Sequence, residues 1–163
     1  MNEVWVVNAS PMIVLAKVGH LQLLEQLPGE LLLPVPVAME IQSGPGSDAA
    51  RQALEGGWGV RVTAGRIPSE LVEWGLGPGE TAVLGVALER AHCTAMLDDA
   101  SARACARAFD IPLIGTLGVV LRARQRGVIP SAGDLLRALR AAGLYLDDET
   151  IRSALRRVGE EWK

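Results

Sequence analysis

Short apolar runs alternate along the chain with longer helical stretches, most of them apolar on one side. Val4–Val7 is a β-branched and aromatic run and predicts a buried central strand. Ser10-Pro11 then reads as an N-cap and a first-turn proline, opening a helix over Pro11–Val18 that Gly19 closes. Leu21, Leu23, Leu24 and Leu27 give one apolar side to a short helix, His20–Leu27. Leu31–Leu33 predicts a second strand, Val35–Gln42 a helix, and Ser43–Ser47 a loop. Asp48 then caps a helix to about Glu55. Trp58–Thr63 alternates like a strand with one wet face. Ile67–Trp74 is a weak helix, and the glycine-rich turn Gly75–Gly79 leads into a strong one, Glu80–Arg90. Strands follow at Thr94–Leu97 and Ile111–Ile114, each feeding a helix, Ala100–Phe109 and Leu117–Gln125. Two more helices, Asp134–Ala142 and Glu149–Val158, complete the pattern.

Short apolar strands alternating with helices imply an α/β fold, a three-layer α/β/α sandwich around a central parallel sheet. In such sheets, sites form beyond the carboxyl ends of the strands. Asn8, Asp98 and Gly115-Thr116 follow the first, fourth and fifth strands, so topology alone puts them on one edge.

Composition narrows the class. With 163 residues and 49% hydrophobic content, the expectation is one domain over 1–163, the C-terminal helices (about 134–158) included. Aromatics are only 4%, so the core is aliphatic. No run approaches the ~18 apolar residues of a membrane helix, and no signal peptide is read at the N-terminus. Cys93 and Cys105, without a CxxC pattern, read as buried reduced thiols of a cytoplasmic protein. Two separated histidines do not suggest zinc. The net charge of −3 is unevenly spread. Residues 1–99 hold five cations against twelve acids, a balance of −7; residues 100–163 hold eleven against seven, a balance of +4. An acidic half beside a basic half suits a nuclease, with ordinary helix-surface variation as the alternative.

The candidate chemistry lies in a few acids: Glu40, Glu80, Asp98 and Asp99, with Asn8 where a further acid would complete the set. Carboxylates at one sheet edge can hold Mg²⁺ or Mn²⁺, metals that serve phosphodiester cleavage. Each residue also has a plain structural role. Asp99 suits a helix N-cap, Glu80 complements a helix dipole, and Glu40 could be a solvated helix residue. Gly77-Pro78-Gly79-Glu80-Thr81-Ala82 matches GxGxxA, but the preceding segment looks helical, which excludes a dinucleotide fingerprint. Gly115-Thr116 could offer N–H groups and a hydroxyl to a phosphate, and Arg103, Arg107, Arg122, Arg124 and Arg126 lie on the helices that follow. No Walker, GxSxG or HExxH motif is present.

Together these segments resemble the PIN domain, a family of Mg²⁺/Mn²⁺-dependent ribonucleases that includes VapC-type toxins of toxin–antitoxin pairs. The resemblance is to the prokaryotic PIN-like branch with "DTSPLI", "LGxGE" and "GTLGVLLRAK" motifs. It rests on Asn8-Ala9-Ser10-Pro11-Met12-Ile13, Leu76-Gly77-Pro78-Gly79-Glu80, Leu97-Asp98-Asp99, Ala102-Arg103, and the run Gly115 to Arg124 with Gly127-Val128-Ile129 after it. It implies metal-assisted RNA hydrolysis, with Glu40, Glu80 and Asp98 catalytic. The implied metal set is Asn8, Glu40, Glu80, Asp98 and Asp99; Ser10, Arg103, Gly115 and Thr116 form the rim or contact phosphate. It also implies an RNA substrate, a small antitoxin partner and a homodimer. Asn8-Ala9 replaces the family's Asp-Thr. Asn keeps an oxygen donor but drops a charge that supports divalent binding, and Ala9 drops a hydroxyl. The alternative is therefore a catalytically impaired PIN-like module that binds nucleic acid or an antitoxin.

Overall fold

The computed structural model describes residues 3–45 and 48–162. Gly46 and Ser47, the end of the expected Ser43–Ser47 loop, lie outside the described residues, as does Lys163. The strands are β1 (Val4–Val7), β2 (Glu30–Pro34), β3 (Val60–Val62), β4 (Cys93–Met96) and β5 (Leu113–Ile114). The helices are α1 (Ala9–Lys17), α2 (Leu23–Gln26), α3 (Val35–Gln42), α4 (Ala49–Glu55), α5 (Ser69–Val72), α6 (Pro78–Glu89), α7 (Ala100–Ala108), α8 (Thr116–Gln125), α9 (Ala132–Ala141) and α10 (Asp148–Arg156).

All strand pairings are parallel, in the order β3-β2-β1-β4-β5, and the helices form layers on both faces. β1 is central: Trp5 faces Leu31 on one side and Thr94 on the other. Trp5, Val6 and Val7 are fully buried, as strands covered on both faces must be. Arg122 of α8 lies over the Trp5 ring at 5.6 Å and pairs with Glu3. The core runs from β1 through Leu15, Leu84 and Met96 to Leu136, Ile151 and Leu155 of the last two helices. Cys93 and Cys105 are free and buried, and burial raises both thiols.

Local chemistry explains where elements fall short of the pattern. α5 starts only after Pro68, because the residue before a proline is held out of the helical region. β3 loses its first residues to Gly59, whose φ of 91° leaves the strand region. β5 is cut to Leu113–Ile114 behind Pro112. α1 starts at Ala9 with Asn8 as its N-cap residue, so Ser10 sits inside the first turn rather than capping it.

Glu160 and Trp162 fasten the segment after α10 to α9. Glu160 accepts hydrogen bonds from Ala132 N and Gly133 N, at 2.8 and 2.9 Å, and pairs with Arg124. These are the unsatisfied donors of a helix start. Trp162 stacks beneath Arg137 and Arg140 and donates to Asp148.

Candidate active site

The site forms where β1 and β4 deliver their carboxyl ends to the same edge. Asn8 N donates to Met96 O at 3.2 Å, and Leu97 N donates to Ile114 O at 3.0 Å, so the three strand ends are laced together. Chain direction then separates two adjacent acids. Successive side chains of extended backbone point to opposite sides, and Asp98 and Asp99 do so here.

Asp98 turns toward β5. Its Oδ1 accepts from Thr116 N at 2.8 Å and its Oδ2 from Thr116 Oγ1 at 2.5 Å. Thr116 is fully buried. Both Thr116 donors are therefore taken, and the phosphate contact expected of Thr116 has no free donor. Arg103 donates to Leu97 O at 2.9 Å. Gly115 is pressed between them, since a Cβ there would lie 2.8 Å from Arg103 Nη1 and 3.0 Å from Asp98 Oδ1. Arg103, Gly115 and Thr116 thus form the surroundings of Asp98.

Asp99 turns the other way. Its Oδ2 caps α7 through Ala102 N at 2.9 Å, and the residue lines a cavity of about 270 Å³. Asn8, Ser10, Ile13, Glu40, Gly77 and Glu80 form the rest of that cavity. α3 brings Glu40, α6 brings Glu80 in its first turn, and Asn8 comes from the end of β1. Gly79 permits the close approach: a Cβ there would lie 3.3 Å from Glu40 Oε1 and 3.5 Å from Asn8 Oδ1. Both oxygens face one small space left by the missing side chain. Burial raises the Glu80 carboxyl above its ordinary value, and the charge of Asp99 raises it further. A backbone hydrogen bond from Gly77 opposes the shift; a hydrogen bond with Asp99 and the charge of Glu40 add to it. Like charges have been gathered at one cavity.

The structure thus brings together Asn8, Ser10, Glu40, Glu80 and Asp99 of the residues singled out in the sequence, and sets Asp98, Arg103, Gly115 and Thr116 beside them as a separate cluster. Gly79 carried no site assignment in the sequence; the glycines flanking Pro78 were its only signal. A family model described as a PIN domain matches residues 4–160. The chain belongs to the PIN-domain family. A search of curated proteins finds none that matches it.

The family fixes a nuclease-like fold, and PIN domains generally depend on divalent metal. The donors of this PIN domain fit such an ion by type: three carboxylates, one amide oxygen and one hydroxyl, all hard oxygen ligands. Among the described residues no three acidic, histidine or cysteine side chains close on one point as ligands. The oxygens line the cavity, and a cation there would offset the burial and the neighbouring charge that raise the Glu80 carboxyl. Among the described residues no helix is long and apolar enough to cross a membrane.

Proposed function

We propose that the chain is a metal-dependent ribonuclease of the VapC toxin type that hydrolyses RNA phosphodiester bonds with Mg²⁺ or Mn²⁺. One observation carries the reading: Glu40, Glu80 and Asp99 share a cavity with Asn8 Oδ1, and their mutual repulsion is registered by Glu80. Asn8, Glu40, Glu80 and Asp99 would hold the ion, with Ser10 at the rim. Bound there, the metal would lower the pKa of a water and offset charge on the scissile phosphate. Asp98 contributes by position. With both oxygens on Thr116, it fixes the β4–α7 turn from which Asp99 points into the cavity.

The same reading makes RNA the substrate, a small antitoxin the protein partner, a second copy the homodimer mate, and the cytoplasm the location. The free buried cysteines and exposed Val72 and Trp74 at the end of α5 support the last two. The core shared by β1 and the last two helices supports one domain over the whole chain. A second reading, a catalytically impaired module that binds nucleic acid or an antitoxin, is favoured by one residue. Asn8 ends β1 with an uncharged amide that makes no side-chain capping hydrogen bond.

The test is RNA cleavage in Mn²⁺ or Mg²⁺ by the full chain and by Asp99→Asn, alongside calorimetric Mn²⁺ titration. The proposal expects cleavage that EDTA abolishes, and loss of both cleavage and Mn²⁺ binding in the variant. Mn²⁺ binding without cleavage would select the second reading. Cleavage indifferent to Asp99→Asn would overturn the site.

A further inference from the structure

A second cavity, of about 710 Å³, adjoins the acid cavity. It opens beyond β5, between α8 and α10, and Asp98 is part of its lining. Asp98 and Asp99 are consecutive, so the two cavities adjoin across one dipeptide on the carboxyl edge of the sheet. β1 and β5 are two strand spacings apart, ~10 Å, a distance one nucleotide can bridge.

The lining suits a flat aromatic ring attached to an anion. Leu113, Leu117, Leu144 and Leu146 are half-buried and give apolar walls. Tyr145, also in the lining, is 90% exposed, an aromatic face that no core packing explains. Two carboxylates line the cavity, and both have a cation beside them. Asp98 and Arg103 flank Gly115 and attract one another, and Glu149 is paired with Arg152. That leaves one cation of the lining. The exposed guanidinium of Arg157 makes no hydrogen bond or ion pair among the described residues. The charge left unpaired at this cavity is therefore positive.

We infer that this cavity receives one unpaired base of the RNA strand, stacked on Tyr145, with Arg157 on an adjoining phosphate. The inference rests on the ribonuclease reading and extends it: Tyr145 and Arg157 seat the nucleotide beside the cleaved bond, and only a base free of a pairing partner presents both faces to such a seat. Stacking on an exposed aromatic ring tolerates any base, so this subsite selects strandedness more than sequence.

Two variants test it without touching the acid cavity. Tyr145→Ala removes the stacking face. Ser153→Trp, from an exposed position on α10 that lines the cavity, fills it. The measurement is fluorescence titration of a single-stranded 2-aminopurine oligoribonucleotide with the full chain, in EDTA so that cleavage is held off. Circular dichroism melts check that both variants fold. Wild type should quench the fluorescence, and each variant should bind about 5- to 150-fold more weakly, the range for one lost base–aromatic stack. A duplex of the same sequence should bind wild type and both variants alike. Equal single-strand affinity in wild type and both variants would overturn the inference, as would no quenching by wild type. The ribonuclease reading is judged separately by wild-type cleavage in Mn²⁺, which either of those failures would leave standing.

Discussion

Asn8→Asp tests the electrostatics of the acid cavity, because it reverses sign with metal. Asn8 is only 6% exposed, so a new carboxylate there is poorly screened. Its Oδ1 and Glu40 Oε1 lie 3.5 and 3.3 Å from the same point above Gly79, so the two oxygens are within about 7 Å of each other. Two unit charges at that separation repel by ~0.6 kcal/mol in water and ~2.4 kcal/mol at an effective dielectric of ~20. Glu80 and Asp99, on the same cavity, add to this. A cost of ~1–2 kcal/mol lowers Tm by about 2–8 °C in a chain of this size. Thermal melts at pH 7 in EDTA should show that drop. In saturating Mn²⁺ the order should invert, since an added anionic ligand tightens a divalent site. Each tenfold gain in affinity adds ~1.4 kcal/mol to the holo form. Equal melting temperatures in EDTA, together with an unchanged Mn²⁺ response, would refute the placement of Asn8 against the acids.

Glu80→Gln should show the converse dependence on pH. The folded-state carboxyl sits above its ordinary 4.5, so the folded protein binds that proton more tightly than the unfolded chain, and stability falls as pH rises through this interval. Urea denaturation in EDTA should find the variant slightly more stable than wild type at pH 7 and no better below pH 4.5, while its Mn²⁺ binding weakens; a gain that ignores pH would count against the account. Thr116→Val removes the hydroxyl from Asp98 Oδ2. The loss of a hydrogen bond to a charged group should cost about 1.5–3 kcal/mol in urea unfolding, and an unchanged midpoint would mean that Asp98 is held by other contacts.

Much of this molecule was legible in its sequence. β1 and α3 fall where the apolar runs and the proline placed them, and Asp48 and Asp99 cap the helices they precede. Those features are local, set by propensity and by the first unsatisfied donors of a helix. The parallel sheet followed from strand–helix alternation. What the sequence did not reveal is orientation. It made Asp98 the ligand and Asp99 a cap or second ligand, and gave no direction to either side chain, because both follow the same strand and differ by one residue. Which of them turns toward β1 depends on the twist of the chain leaving β4 and on Thr116, 18 residues on, which engages Asp98. Tyr145 and Arg157 were missed for a related reason. Neither lies in a motif, and only the fold brings α8, α10 and β5 around one cavity.

The central position of β1 has a consequence for how the molecule comes to be folded. The first strand made is the one that every other strand must reach, directly or through a neighbour. Val4–Val7 stays unpaired on one side until β4 arrives some ninety residues later, and such distant pairings are slow to close. The bond from Asn8 N to Met96 O belongs to that late event. The acid cavity is therefore completed in the step that closes the sheet, because Asp99 leaves the end of β4 and joins Glu40 and Glu80 only then.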